Sequence, residues 1–273
     1  MLYFTPYRIS TITSNADIVK EGEKIKIDLL KMFNEFPISK RFVHIQFQDK
    51  EENRIRGEYP KKKRRQVKKS GKKRMFDNQV TFIYKMSDGY YPNIKVFQNG
   101  NIQMTGTRHI EHCKPIIDDI IDNIRIIQDK NVSFANFKIR LINTDFRIYK
   151  NKELSNKFII KRKELHKGLI ENDNIVATFT PGTYPGVKIE YYWNKNNLKN
   201  DGKCYCQSLC IGKDNNKNCK KITIAVFESG SVLITGAIST EQVDIAYEYI
   251  CNFISNSEKR FEKDLSMLMY NLD

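Results

Sequence analysis

Four cysteines close together in the sequence could bind a metal ion. Cys204, Cys206, Cys210 and Cys219 have the spacing C-x-C-x3-C-x8-C, in a stretch of lysine, asparagine, aspartate and glycine. Thiolates are preferred zinc ligands, and four of them complete a tetrahedral site. Because this stretch has no apolar core of its own, bound Zn²⁺ would give it a fold. Free thiols, or disulfides in an oxidising compartment, are the alternatives to this structural zinc site.

Patterns that would indicate catalysis are absent from the sequence. The chain has no Walker phosphate-binding sequence, no G-x-S-x-G and no H-E-x-x-H. It also has no pair of acidic residues set in an apolar pattern, as general acid–base chemistry would require. We therefore expect a binding protein rather than an enzyme.

A ten-residue pattern occurs twice. F-Q-N-G-N-I-Q-M-T-G begins at Phe97, and F-E-S-G-S-V-L-I-T-G begins 130 positions later, at Phe227. Alternating residues around a turn that ends in glycine predict a β-hairpin with a three-residue loop, in which glycine supplies the left-handed conformation. The constant offset indicates a tandem duplication, so function should depend on what both copies share.

Alternation gives each hairpin two faces. One face is aliphatic in both copies and predicts a core. The other presents a phenylalanine with small or uncharged residues: Phe97, Gln103 and Thr105, then Phe227, Leu233 and Thr235. Because an apolar helical pattern follows each hairpin, we expect helices to cover the aliphatic face and to leave the other face open.

The elements around the hairpins predict two similar halves. Strands are expected near residues 7–15, 42–47, 79–86, 137–149, 175–179 and 187–193, and helices near 23–36, 116–127, 157–167 and 239–254. The halves would be residues 1–130, with a basic insertion near 49–75, and residues 131–273, with the cysteine-rich insertion near 194–220. Joined through their sheets, they predict an α+β fold: a curved antiparallel sheet with helices on one side.

The paired hairpins resemble the half-repeats of the TATA-box-binding protein family. Residues 179–187, F-T-P-G-T-Y-P-G-V, resemble that family's Y-E-P-E-L-F-P-G-L, and residues 9–12, I-S-T-I, resemble its V-S-T-V. The resemblance covers both halves but neither insertion nor the C-terminal tail, and it is strongest to divergent versions from large DNA viruses. It implies a pseudo-symmetric saddle that binds and bends AT-rich promoter DNA through the minor groove. A transcription-factor-B-like protein and an RNA polymerase would be its partners.

The resemblance also assigns roles to single residues. Intercalating aromatics fall on Phe97 and Phe227, with Tyr184 and Phe76 as their partners; Tyr59 or Phe42 could align in place of Phe76. The remaining predicted DNA contacts are Gln103, Thr105, Leu233 and Thr235 in the groove and Arg108 on a phosphate. The family's central asparagines fall on Tyr7 and Leu141, so the hydrogen bonds usual at those positions are missing.

Charge supports a polyanionic partner. The formal net charge is +15, and residues 61–74 contain ten of the basic side chains, so the rest of the chain carries only +5. Such a block cannot fold on itself and is typical of a phosphate-binding loop, a nuclear import signal or a solvated loop. Since no signal peptide and no membrane-spanning run is visible, we expect a soluble intracellular protein. The nucleus, a cytoplasmic viral factory and the virion all remain open.

Two other functions remain open. One is a protein-interaction scaffold on the same fold, because Tyr7, Leu141, Gln103 and Tyr184 depart from the residues with which the family contacts the groove. The other is a non-specific nucleic-acid binder that acts through the basic block, on DNA or RNA.

Deleting residues 61–74 should flatten the salt dependence of duplex binding. Each phosphate contact that the deletion removes lowers the slope of log affinity against log salt by about 0.9. Fluorescence anisotropy at several salt concentrations measures this slope, and a neutral Gly-Ser segment of equal length controls for loop length. An unchanged slope would show that the block does not contact phosphates.

Overall fold

The computed structural model describes residues 2–48, 52–58, 78–171, 175–207, 210–212 and 219–263. Within these ranges the α+β class and the antiparallel strands predicted from the sequence are confirmed. The strands are β1 (Tyr3–Phe4), β2 (Arg8–Lys20), β3 (Glu23–Lys24), β4 (Phe42–Gln48), β5 (Asn53–Gly57), β6 (Gln79–Tyr84), β7 (Asn93–Phe97), β8 (Asn101–Thr107), β9 (Ser133–Tyr149), β10 (Val176–Thr178), β11 (Val187–Asn194), β12 (Cys219–Val226) and β13 (Ser231–Ala237).

The helices of the described ranges are α1 (Leu29–Glu35), α2 (Cys113–Ile127), α3 (Arg162–Glu171), α4 (Thr240–Ser255) and α5 (Glu258–Phe261), with a 3₁₀ turn at Ile110–His112. None of them has both the length and the apolar character needed to cross a membrane.

The chain divides into two compact units. The first unit is Thr11–Arg140, and the second unit combines Met1–Ser10 with Leu141–Asp273. The divisions fall within the long strands β2 and β9. The first ten residues thus belong with the second half of the sequence, because β1 pairs with β9.

In the first unit the strands follow the order β2-β8-β7-β6-β4-β5, with β3 paired to β2. All of these pairs are antiparallel. Helix α1 packs on β4, β6 and α2. The core lies between sheet and helices, where the aliphatic hairpin residues Val96, Ile102 and Met104 are fully buried and every isoleucine of α2 except Ile126 is buried.

In the second unit the order is β10-β11-β12-β13-β9, with β1 paired to β9. Helix α4 packs on β11, β12 and β13, over the buried hairpin residues Ile224, Val232 and Ile234. Ser239 caps its start, because the Ser239 hydroxyl accepts a hydrogen bond from the backbone N–H of Gln242. The Gln242 side chain reaches back to the N–H of Ile238 rather than to that of Ser239.

The two hairpins are held by matching backbone contacts. The carbonyl of Gly100 accepts from the N–H of Ile18 at 2.7 Å, and the carbonyl of Gly230 accepts from the N–H of Ile148 at 2.9 Å. Both glycines are left-handed, with φ of 80° and 75°. A Cβ on Gly100 would lie 2.5 Å from the Ile25 carbonyl oxygen, so only glycine fits.

Helix α1 is shorter than predicted, and this has a tertiary cause. Residues 23–28, expected to be helical, are extended along the first hairpin. There the N–H of Ile25 donates to the Ile18 carbonyl and the N–H of Ile27 donates to the Gln98 carbonyl. The helix begins only after Asp28, whose side chain caps Lys31. Strand pairing therefore overrides the helical periodicity of this segment.

Replacing the hairpin glycine should destabilise the second unit. In Gly230→Ala the new Cβ would lie 2.6 Å from the Phe158 carbonyl oxygen and 2.9 Å from that of Ile148. We expect the free energy of unfolding to fall by about 2 kcal/mol or more, as measured by urea denaturation.

Gly22→Ala is the matched control. Gly22 has φ of 86°, but no atom lies within 4 Å of the position that a Cβ would take there. This substitution should cost only the backbone strain, about 1 kcal/mol. Equal losses of stability in both variants would contradict the packing argument.

Candidate nucleic-acid interface

The open face of the first unit carries a row of polar side chains. Strand register places Gln46 opposite Thr81, Thr81 opposite Lys95, Lys95 opposite Gln103, and Gln103 opposite Asn15. Gln103 is half-buried, while the alternate residues Ile102 and Met104 are fully buried. The predicted two-faced hairpin is thus present, and its uncovered face is hydrophilic here.

The corresponding row of the second unit is different. Lys188 lies opposite Ala225, Ala225 opposite Leu233, and Leu233 opposite Asp145. Ala225 is nearly inaccessible, with 4% of its surface exposed. The middle of this row is therefore apolar where the first unit has lysine and glutamine.

Threonines continue both open faces. In the first unit Thr105 lies between Asn93 and Thr13, and in the second Thr235 lies opposite Thr223. The groove residues predicted from the sequence, Gln103, Thr105, Leu233 and Thr235, therefore all lie on the half-buried, helix-free side of their hairpins.

An aromatic pair stands at the tip of the second hairpin. The rings of Tyr184 and Phe227 are 5.7 Å apart between centroids and tilted by 58°, and the ammonium group of Lys188 lies 4.2 Å from the Tyr184 ring. Gly186 lies beneath them, since a Cβ there would approach Tyr184 within 2.9 Å and Phe227 within 3.1 Å. The pairing of Tyr184 with Phe227, expected by resemblance, is present in the geometry.

Arg162 is a positioning residue that the sequence did not indicate. From the start of α3, its guanidinium donates to the Pro185 carbonyl and to the Glu228 carboxylate, and it lies 5.3 Å from the Phe179 ring. A hydrogen bond from Lys263, at 2.7 Å, and the charge of Arg162 hold the pKa of Glu228 below its usual value. Arg162 therefore joins the loop that carries Tyr184 to the hairpin that carries Phe227.

The other predicted DNA contacts differ in their burial and in whether the structure describes them. Phe97 is half-buried at the end of β7, and the exposed Arg108 lies with its guanidinium 5.4 Å from the Tyr90 ring. Phe76, its alternative Tyr59 and the basic block 61–74 lie outside the described residues. Phe42, the other alternative, is 3% exposed and packs on Phe36, Phe82 and Tyr84, so this alternative is wrong.

Tyr7 is engaged within the protein, and two asparagines elsewhere on the long strands have side-chain oxygens without a partner in the described part of the chain. Tyr7 donates a hydrogen bond to Asp244 and contacts the Tyr247 ring, so it is engaged with α4. Asn15 and Asn143, which the sequence did not single out, lie on the long strands β2 and β9. Among the described residues, their buried Oδ1 atoms have no hydrogen-bond partner. An orphaned buried acceptor is costly to the folded protein.

Carboxylates on the open faces are paired with cations. In the second unit Asp145 contacts Arg8 at 2.8 Å, and Glu190 contacts Lys221 at 3.1 Å. In the first unit Asp17 contacts Lys24 at 2.9 Å. Burial opposes ionisation of Asp17, but hydrogen bonds from Lys24 and Asn136 hold its pKa below the usual value. These pairings offset the repulsion that bare carboxylates would exert on phosphates.

The four thiols of the cysteine-rich insertion converge. The sulfur atoms of Cys204, Cys206, Cys210 and Cys219 all lie within 4.8 Å of one another and could hold a metal ion. Cys204 and Cys206 approach Cys219 at 3.8 and 3.6 Å. A tetrahedral zinc–thiolate centre with bonds of about 2.3 Å has sulfurs about 3.8 Å apart, so the donor set fits this ion.

The thiols also differ in acidity. Burial raises the pKa of Cys219 to about 12, with further contributions from Cys206 and Cys204. Burial opposes ionisation of Cys204 too, but hydrogen bonds from the Cys206 backbone and from the neighbouring thiols lower its pKa. One thiolate is thus favoured within the cluster, which is the form that binds metal.

Parts of the chain are similar to known proteins. A family model described as transcription factor TFIID, or TATA-binding protein (TBP), matches residues 212–257, which contain β12, β13 and α4. A TATA-box-binding protein-like protein of Acanthamoeba polyphaga mimivirus is 29% identical over 214 residues. That match covers 72% of this chain and 52% of the relative, so the chain spans about half the length of the relative it matches.

A solved structure, the TBP of Methanococcus jannaschii, is similar with a TM-score of 0.49 and 15% sequence identity. The superposition covers 92% of this chain and 99% of that one.

Proposed function

We propose that this chain is a TATA-binding-protein-like protein that binds promoter DNA through the minor groove and bends it to start transcription. One observation carries the proposal. Tyr184 and Phe227 form a ring pair, 5.7 Å between centroids, at the tip of a hairpin whose open face is lined by threonines. The proposed class is a binding protein without catalytic activity.

The chemistry of the open faces suits a minor groove. That groove presents few distinguishing donors and acceptors, so proteins that bind it exploit width, deformability and apolar wedges. Half-buried Thr105 and Thr235 offer hydroxyls on the open side of both hairpins. A ring inserted at a base step costs a few kcal/mol in lost stacking, which contacts with the bent duplex offset. TA steps deform most easily and should be preferred.

Each predicted contact then has a role. Phe97 and Phe227 would enter base steps, with Tyr184 and Phe76 as their neighbours. Gln103, Thr105, Leu233 and Thr235 would line the groove, and Arg108 would contact a phosphate. Arg162 would hold the second aromatic pair in position, because it donates to both the Tyr184 loop and the Glu228 side chain beside Phe227.

The remaining proposals follow from the same premise. Partners would be a transcription-factor-B-like protein and an RNA polymerase. The site of action would be the nucleus or a viral factory, with packaging into virions as a further alternative.

Removing both hairpin phenylalanines should abolish bending. Phe97→Ala with Phe227→Ala should lower affinity for an AT-rich duplex about tenfold or more, because no ring then wedges a base step. Energy transfer between fluorophores on the two duplex ends measures bending, and anisotropy measures affinity.

Ile126→Ala is the control, since Ile126 is 85% exposed on α2, away from the open face. If the double variant bends DNA as the unchanged chain does, the wedge mechanism is wrong. If neither the double variant nor the unchanged chain binds duplex DNA, the proposed function is wrong and the open faces would have another partner.

We also propose that the four-thiol cluster binds a structural Zn²⁺. The ligands would be Cys204, Cys206, Cys210 and Cys219. Zinc would join the end of β11, through the loop that follows it, to Cys219 at the start of β12. The N–H of Lys221 already donates to the Gly212 carbonyl, so this loop lies against the sheet. The metal would replace the apolar core that the insertion lacks.

Purified protein should contain about one zinc per chain by elemental analysis, and Cys206→Ser should lower this value and the Tm. Cys251→Ser is the control, because Cys251 lies on α4 outside the cluster. Zinc at background level in the unchanged protein, or equal loss in both variants, would refute the site.

A further inference from the structure

The two open faces differ at the positions that would meet the centre of each half of a bound duplex. In the first unit the neighbouring strands place Lys95, Gln103 and Asn15 side by side. In the second unit the same register places Ala225, Leu233 and Asp145 there. This difference is chemical, since one row can exchange hydrogen bonds with a ligand while the middle of the other cannot.

We infer that the two halves of this protein select different base pairs: the second unit accepts only A·T pairs at this row, whereas the first unit also accepts G·C. The inference rests on the proposed function, because it assumes that the open faces meet a minor groove. It assigns the specificity to Gln103 and Leu233, which occupy matched positions on β8 and β13.

The minor-groove edges explain the expected difference. A·T pairs present only acceptors there, while G·C adds the guanine amino group as a donor. Against Leu233 and Ala225 that donor would be desolvated without a partner, and the amino group would also need space. Leaving the donor unsatisfied costs its full desolvation free energy, which exceeds the net gain from a typical hydrogen bond.

The first unit can satisfy the guanine amino group. The Gln103 amide has both a donor and an acceptor, so it can match either class of base pair. In the described part of the chain, no hydrogen bond or ion pair engages the Gln103 or Lys95 side chain. Asn15 lies directly opposite Gln103, so the polar row continues on the neighbouring strand.

The carboxylate of the second unit does not replace this acceptor. Asp145 lies opposite Leu233, but its side chain is engaged by Arg8 at 2.8 Å. A free carboxylate would also be repelled by the acceptors and phosphates of the groove. The middle of that row is therefore formed by the apolar side chains of Leu233 and Ala225.

Either unit can bind either half of a near-symmetric duplex, so the number of halves that contain G·C should decide the affinity. A duplex with G·C in one half should bind as well as the all-A·T duplex, since the protein orients its first unit there. A duplex with G·C at mirror positions in both halves should bind about tenfold more weakly. Orientation should be fixed on the one-half duplex, as read from energy transfer between one labelled duplex end and the protein.

Reciprocal variants test the assignment. Gln103→Leu should make the one-half duplex bind about tenfold more weakly, and Leu233→Gln should remove the penalty of the two-half duplex. Gln48→Leu makes the same replacement at the end of β4 and should leave the pattern unchanged. Affinity for the all-A·T duplex, measured in parallel with Tm, shows that each variant is folded.

The outcomes separate this inference from the proposed function. If the all-A·T duplex is bound and bent but the G·C penalties are additive and unaffected by either variant, the half-site difference is refuted and the proposed function stands. If the all-A·T duplex is neither bound nor bent, the proposed function fails, and this inference fails with it.

Discussion

The tie between each hairpin glycine and the backbone beside it fixes the geometry on which both units depend. Gly100 and Gly230 accept hydrogen bonds from Ile18 and Ile148, on the long strands that flank their hairpins. In the same turns, the carbonyls of Gln98 and Glu228 accept hydrogen bonds from the backbone N–H groups of Ile27 and Ile160. These bonds set the strand register, and register decides which side chains reach the core. A slip by one residue would bury Gln103 or Leu233 and expose the aliphatic face.

The phenylalanine before each turn follows from this constraint. Phe97 and Phe227 close their three-residue loops by accepting hydrogen bonds from Gly100 and Gly230, so their rings stand at the hairpin tips. In the second unit, Gly186 makes room for Tyr184 beside Phe227, and Arg162 links the two chain segments. A half-buried ring pair held in this way loses little conformational freedom on binding, which favours use as a wedge.

Local patterns predicted the hairpins, the buried face and α4, because each of these depends on residues close in sequence. The Ser239 cap and the alternation around Gly230 are of this kind. Contacts between distant residues were not predictable. Arg162 meets Glu228 across 66 positions, and Tyr7 meets Asp244 across 237. The orphaned Oδ1 of Asn143 could be recognised only once β9 had been paired, because the sequence shows an asparagine but not its missing partner.

The distribution of charge separates affinity from selectivity in this chain. Most of the formal +15 comes from residues 61–74, whereas the described open faces neutralise their own carboxylates through Arg8, Lys24 and Lys221. Long-range attraction to a polyanion does not depend on sequence and weakens with salt. The carboxylates of these faces are paired, so what the hairpins add to the long-range attraction is short-range and depends on which base edges they meet. With a polar row in one unit and an apolar row in the other, the sequence of the duplex would decide the orientation in which the protein binds. The long-range attraction to the phosphates would be the same in both orientations.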